Sequence, residues 1–409
     1  MTAELDFTTA ELWDKPVRGK TFSVAVTGDF SPKAPAAAEL LKQGGAAGVL
    51  EPLAKALGRA TFRLLQFETV LTEADTPIDK SGPNLRSPHE AADFAVAGKF
   101  DAALLANNHT GDFGEAALLE TIAELKKRKV AVVGAGRDPK DAAKTLFLER
   151  GGFLLAVINA CEHEFGWAWG DHAGSNAIDL DDIRKKIAAA KRRADAVLVV
   201  LHGGNETNPL PSPGMTRRLR GIADMGADAV MNIHTHCPQG VEIYRGVPIV
   251  YSPGNFYFPY PNVKSEMWYS GYVPEFVFAR RGACGLKLTP YVADLNGVRP
   301  LTGARLKKFL GYLKELSAPI ADSPEIAAYF EAWAAMMGPA IGGNRHTPEK
   351  LEPEKLDREA RRALLPFRNL FSCEAHNELM TVFFRQVERA LPPDMKRIKA
   401  IKAWQERTF

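Results

Sequence analysis

Two histidines one residue apart are the most informative residues in this chain. His234 and His236, in the segment MNIHTH, interrupt an apolar run where a strand would prefer something else, and imidazole is the commonest metal ligand among side chains. Other residues of ligand type are Asp29 in TGDF, Glu68 in LLQFET, Asn107, Asn108 and His109 in LLANNHTGDFG, and His202 in VVLHGGNE. Singly, each has an ordinary explanation: an Asp after a strand caps a helix, paired Asn residues make turns, a lone His hydrogen-bonds structurally. Together, carboxylate, amide and imidazole donors suit a borderline divalent ion such as Mn, Fe, Zn or Co. A carboxylate such as Glu68 can bridge two ions about 3.5–4 Å apart, and such ions lower the pKa of bound water towards about 7. The chemistry predicted is metal-dependent hydrolysis.

The elements that must position these residues follow from hydrophobic spacing. Short β-branched runs at 22–27, 63–67, 102–106, 130–133, 153–159, 196–201 and 229–233 read as strands. Between them, 36–57, 88–97, 114–128 and 180–193 have helical spacing. Apolar strands separated by helices predict an α/β fold with sheets covered by helices. Each ligand-type residue closely follows one of these runs, and open α/β sheets form their sites in the crevice beyond the carboxyl ends of the strands. Runs at 241–244, 248–251, 275–279 and 286–293 are divided by Gly and Pro and predict an antiparallel meander. From about residue 297 helical segments follow at 303–316, 324–337, 353–365, 374–391 and 394–405, with an exposed loop at 338–353. Leu379, Phe383, Val387 and Leu391 mark a helix face that should dock on something. The predicted organisation is an N-terminal segment (1–20), a large domain (21–296) and a C-terminal helical region (297–409).

Bulk properties narrow the partners. With 52 Lys plus Arg against 49 Asp plus Glu, the formal charge of +3 gives no reason to expect nucleic-acid binding. The basic ending (Lys396, Arg397, Lys399, Lys402) reads as a solvated helix face. Four scattered cysteines, with no C-x-x-C pair, argue against a disulfide framework or zinc ribbon. No apolar stretch approaches the roughly 20 residues of a membrane span, and the first 20 residues lack a signal-peptide core, so cytoplasm is the expected location.

The segments GDF, QFET, LLANNHTGDFG, VVLHGGNE and GADAVMNIHTHCPQGVEIYRGVPIVYSPGNF resemble, in that order, the CapA/PgsA-type capsule or poly-γ-glutamate synthesis proteins. That family is a branch of the calcineurin-like metallophosphoesterase superfamily, and the resemblance runs from about Phe22 to Phe258. It implies two mixed sheets packed face to face and flanked by helices, a metallophosphoesterase-like sandwich with a C-terminal helical extension. It further implies a site for one or two divalent ions (Mn, Fe or Zn) at one end. Asp29, Glu68, Asn108, His202, His234 and His236 take the places of metal ligands, and His109 that of the histidine that protonates a leaving group. The chain also departs from the pattern. Ser31 stands where the wider superfamily has a histidine, which leaves one ion short of a nitrogen ligand. Gln66 replaces an asparagine and can still donate an amide hydrogen bond behind the ligands, and Asn232 or its neighbour stands where a glycine is usual.

Further residues carry two readings each. Arg86, in GPNLRSPHE, either forks onto a substrate carboxylate or phosphate or is a solvated loop residue. His163 and His172, in CEHEFGWAWGDH, either overhang the crevice and touch substrate or help cover the core. Glu206 could orient a ligand histidine, and Asn255, in YSPGNF, either supports the ligands or makes a turn. Cys237 should pack, and His346 and His376 should be structural. The leading function is a hydrolase acting through metal-bound hydroxide on a phosphoester or a γ-glutamyl-type amide, its substrate a small or polymeric anion, in capsule or poly-γ-glutamate metabolism. The alternative is a non-catalytic, metal-containing binding or assembly subunit for an anionic polymer. A TIM-barrel amidohydrolase fits poorly, because its His-x-His would lie on the first strand. Oligomeric state is not encoded legibly.

Overall fold

The computed structural model describes residues 4–32, 45–260, 262–280, 282–342 and 356–409. Two sheets form its centre. The nine-stranded sheet runs Glu11–Asp14, Gly282–Asp294, Ser270–Ala279, Phe22–Phe30, Phe62–Phe67, Ala102–Leu104, Ala131–Val133, with Asn255–Tyr257 and Gly297–Pro300 paired off this path. The six-stranded sheet runs Val241–Tyr244, Val247–Val250, Ala229–Ile233, Ala196–His202, Phe153–Cys161, Leu146–Arg150. Each has a parallel block, Phe22–Phe30 through Ala131–Val133 in the first and Phe153–Cys161 through Val247–Val250 in the second.

Side-chain alternation explains the layering. In the first sheet Val24, Val26, Phe62, Leu64, Ala102 and Leu104 join the large core shared with the second sheet. Ala25, Leu65, Phe67 and Ala103 point to the opposite face, under the helices Ala46–Leu57, Asp93–Ala97 and Gly114–Lys127. In the second sheet Ala196–His202 is buried at every position, because Leu180–Ala190 and Pro213–Asp224 cover its outer face with Ile183, Ile187, Leu219 and Ile222. Those two helices start at side-chain caps: Asp179 accepts from the Asp181 and Asp182 N–H groups, and Ser212 from that of Met215. Between the sheets, Asn159 accepts from the Ala106 N–H (2.9 Å) and donates to Val200 O (3.0 Å).

The predicted two-sheet sandwich with helical flanks and a helical extension is therefore present. Several local readings need correction. The runs after 233 do not form one meander: Val241–Tyr244 and Val247–Val250 make a hairpin in the second sheet, whereas Ser270–Ala279 and Gly282–Asp294 cross to the first. The N-terminal segment holds the strand Glu11–Asp14, whose Leu12 is buried in the main core. The helix expected from 324 continues to Gly342, through residues expected to be loop. The remainder of that loop, His346 and residues 36–44 of the first predicted helix lie outside the described residues. On Glu374–Glu388 only the first part of the apolar face docks: Leu379 is buried, but Val387 and Leu391 are exposed.

Candidate metal centre

The carboxyl ends of the two parallel blocks converge at one end of the sandwich, where the ligand-type side chains meet. Asp29, Glu68 and Asn108 arrive from the first sheet, and His202, His234 and His236 from the second. His202 Nε2 lies 3.0 Å from His234 Nδ1, 3.2 Å from Asn108 Oδ1 and 3.4 Å from Glu68 Oε1. His236 Nδ1 lies 3.5 Å from Asp29 Oδ2. Two donor sets result, Glu68–His202–His234 and Asp29–Glu68–His236, each with its ligand atoms within 4.8 Å of one another. Glu68 belongs to both, as a carboxylate between two ions must.

The residues fit a cation. Asp29 and Glu68 are fully buried, and none of their four carboxylate oxygens has a hydrogen-bond partner among the described residues. Leaving such groups unpaired is costly, whereas a bound metal satisfies them. Burial and the charge of Asp29 push Glu68 up to about 8. Burial drives His202 down to about 4, which keeps it in the neutral form that ligates. For His236 burial works the other way from the carboxylates of Glu68 and Asp29; the carboxylates prevail and raise it to about 10. The cluster thus draws positive charge, from protons or from metal.

Local backbone explains how neighbouring residues face one centre. In extended backbone His234 and His236 would share a face, with Thr235 opposite; here they sit at φ 118° and φ 55°, conformations that cost about 1–3 kcal/mol each. Asn255 Oδ1 accepts from His236 Nδ1 at 2.9 Å, and its amide donates to Trp268 O. Asn255 stands opposite Asp29 in the register of Asn255–Tyr257 on Phe22–Phe30. That approach needs glycine, since a Cβ on Gly28 would lie 1.7 Å from Gly254 O. Gln66 Nε2 lies 3.2 Å from His202 Nδ1. Asn232 ties Gly203 O and Tyr251 O together. Ser31 is buried, its hydroxyl has no hydrogen-bond partner among the described residues, and it belongs to neither donor set.

His109 stands beside the donor sets. Its Nδ1 is 2.7 Å from Asp112 Oδ2, which also accepts from the Leu85 N–H, and Lys80 Nζ caps the other Asp112 oxygen. Nδ1 is thereby engaged, and Nε2 is the atom available for proton transfer. The sequence showed this dyad only as a His-x-x-Asp spacing within NNHTGD. Glu206 is half exposed, 4.0 Å from His234 Nε2. Three residues are not brought to the cluster. Arg86 is exposed and donates to Glu73 O and Ala74 O. His163 pairs with Glu374 at 2.9 Å, and His172 with Glu115 at 2.7 Å. Cys237 packs, its thiol donating to Asn208 O.

Residues 23–260 match the family described as bacterial capsule synthesis protein PGA_cap. This chain belongs to the PGA_cap family. Among its relatives, the PGA biosynthesis protein CapA of Bacillus subtilis is 32% identical over 156 residues, covering 37% of this chain and 41% of that protein. The capsule biosynthesis protein CapA of Bacillus anthracis is 28% identical over 243 residues, 58% of each chain. This chain therefore spans about half the length of these relatives. Among solved structures, it is similar to the calcineurin-like phosphoesterase YfkN from Bacillus subtilis, at 13% identity and a TM-score of 0.42, covering 72% of this chain and 97% of that one.

The PGA_cap region ends before the C-terminal helices, and these close a cavity over the cluster. The cavity, about 500 Å³, is lined by Asn108, His109 and His236 and also by Trp333, Asn369 and His376 of the C-terminal helices. Glu164 lines it too and interacts with both Asn108 and His376. Burial opposes its charge, but His234, His376, Lys80 and a hydrogen bond from Asn108 hold it down at about 2. Glu164, Cys373 and His376 also lie within ligand distance of one another. Burial and nearby carboxylates, however, push the Cys373 thiol well up, and it donates to Glu162, so this group is a hydrogen-bonded wall. His376, expected to be structural, thus lines the cavity, and a lone helical histidine gave no signal of that. Among the described residues no helix is long and apolar enough to cross a membrane.

Proposed function

We propose that this PGA_cap protein is a metal-dependent hydrolase acting on a phosphoester or a γ-glutamyl-type amide in capsule or poly-γ-glutamate metabolism. Asp29, Glu68, Asn108, His202, His234 and His236 hold one or two divalent ions, of Mn, Fe or Zn. The observation that carries this reading is the set of four buried carboxylate oxygens, without hydrogen-bond partners among the described residues, beside three imidazoles. When bound, such ions supply Lewis acidity and lower the pKa of water. The chain's own residues do the rest. Asn108 holds its amide oxygen 3.2 Å from His202 Nε2, and the C-terminal helices supply part of the lining of the adjoining cavity. Asp112 accepts from His109 Nδ1 and fixes the ring, so that Nε2 delivers a proton to the departing oxygen or nitrogen.

Ser31 favours a second reading, a non-catalytic subunit whose metal grips an anionic polymer, because that position supplies no imidazole. His109 and Asp112 weigh against it, since a purely structural site needs no proton donor. Elemental analysis of purified protein, paired with hydrolysis of a phosphodiester and a γ-glutamyl amide in added Mn, tests both. We expect roughly one to two metal equivalents and turnover. Less than about 0.2 equivalents of any transition metal overturns the metal centre; full metal without turnover of either substrate favours the binding subunit.

A further inference from the structure

Lys80 is a buried lysine to which the chemistry proposed above gives no part. Its side chain is 2% exposed, and that of its partner Asp112 is fully buried. Lysines are almost never buried unpaired, yet a buried ion pair is weak evidence for stability, because apolar residues of similar volume often pack as well. The contacts of the ammonium point elsewhere. Nζ donates to Asp112 Oδ1 at 2.5 Å and to Asn108 O at 3.1 Å, and it lies 3.1 Å from His109 Nδ1.

Those contacts fall on the two anchor points of His109. The ring is held by Asp112, whose Oδ2 is 2.7 Å from Nδ1 and also accepts from the Leu85 N–H at 2.6 Å. Two acceptors that close would repel, so Nδ1 carries a proton, and Lys80 is its neighbour rather than its donor. The backbone is held across the Asn108–His109 peptide. Asn107 Oδ1 accepts from the His109 N–H at 3.0 Å, and Lys80 takes the carbonyl on the other side. One ammonium therefore fixes both the carboxylate that orients the ring and the peptide that carries it. The segment around Lys80 tightens the same grip, since the Ile78 N–H and the Asn84 amide donate to Asp112 O at 2.9 and 3.2 Å.

Resting on the hydrolase reading, we infer that Lys80 is the positioning residue for proton delivery by His109. It acts through Asp112 and the Asn108 carbonyl to aim Nε2. Almost wholly covered, it meets no substrate itself.

Steady-state kinetics of the full-length, Mn-loaded protein tests this. Diphenyl phosphate and γ-glutamylanilide are probes whose leaving groups need a proton; the nitrophenolate of bis-p-nitrophenyl phosphate leaves without one. Lys80→Met, which keeps the reach of the side chain and removes its donors, should lower kcat about 10–100-fold on a proton-requiring probe, as a slightly misplaced catalytic group does. KM and metal content should not change, and the nitrophenyl ester should be slowed far less. Added to His109→Ala, the same substitution should cost nothing further, because a residue acting through that ring has no effect once the ring is gone. Lys80→Met leaves Asp112 charged and unpaired, so the neutral pair Lys80→Met with Asp112→Asn repeats both comparisons should the single variant not fold. Equal losses on the two phosphate esters, or losses that multiply with that of His109→Ala, would mean general structural damage and overturn the assignment. So would a raised KM at constant kcat, which places Lys80 against substrate, or variants as fast as wild type. Wild-type protein that holds metal yet hydrolyses none of the probes overturns the hydrolase reading, and this assignment with it.

Discussion

Glu68 contributes to both donor sets, and neither of its oxygens has a hydrogen-bond partner among the described residues, so its charge has opposite consequences with and without metal. In metal-free protein its raised value, about 8 against 4.5, means the folded state holds a proton the unfolded chain has released. His236, raised from 6.5 to about 10, does the same. Stability from both groups is present at low pH and lost as pH rises; above pH 6.5, where the depressed His202 no longer opposes them, the two act together. The midpoint of thermal unfolding in a chelator should therefore fall between pH 6.5 and 9, and Mn should restore it; a flat profile would contradict the buried-carboxylate account. His109→Ala should remove most turnover while metal content stays near wild type, measured on the same preparation. Metal loss in that variant would make His109 a ligand instead. The ligand-type residues were readable because strand ends carried residues that a core would not choose. Glu164, Lys80 and Asn369 were not, because each gains meaning only from partners distant in the chain.

At the level of elements, close approaches between glycines and backbone hold the centre together. Gly28 lets the segment before Asn255 lie against the strand Phe22–Phe30, and Asn255 in turn orients His236. Gly28→Ala forces backbone apart at a contact with no flexible side chain to yield, and overpacking of this kind costs about 1–3 kcal/mol or more. Denaturant unfolding should show that loss, together with reduced metal content; a variant of unchanged stability and metal content would show that the approach relaxes freely. Strand existence was legible from alternation along the chain, but sheet membership was not. Ser270–Ala279 and Val247–Val250 both fall in apolar runs bounded by Gly or Pro, yet they pair in different sheets. Their partners lie far away in sequence, and hydrophobic period carries no information about which partner is chosen.

For the molecule as a whole, the C-terminal helices are joined to the sandwich by core and by polar ties alike. Phe309, Leu313, Leu316 and Ile320 of the helix Gly303–Ala321 belong to the main hydrophobic core. Ser317 Oγ accepts from the Val241 N–H at 3.0 Å, and Arg220 bridges Glu242 and Ile320 O. Further on, Glu378 accepts from Ser212 Oγ at 2.5 Å and from the Gly214 N–H at 2.7 Å, at the start of a helix that covers the second sheet. Glu162, which accepts from Arg218 at 2.7 Å, also takes the Gly204 and Ala375 N–H groups. A chain ending at residue 296 would expose this apolar face, so it should be insoluble or show no cooperative unfolding by circular dichroism, although it retains every candidate metal ligand. Glu378→Ala is the milder test. It removes two hydrogen bonds to a charged acceptor, for a loss of about 1.5–3 kcal/mol each at most, discounted for its partial exposure. If the truncated chain instead folds and binds metal with wild-type affinity, the helices are an appended module. Their role would then be confined to the cavity wall, because the metal ligands would not depend on them for position.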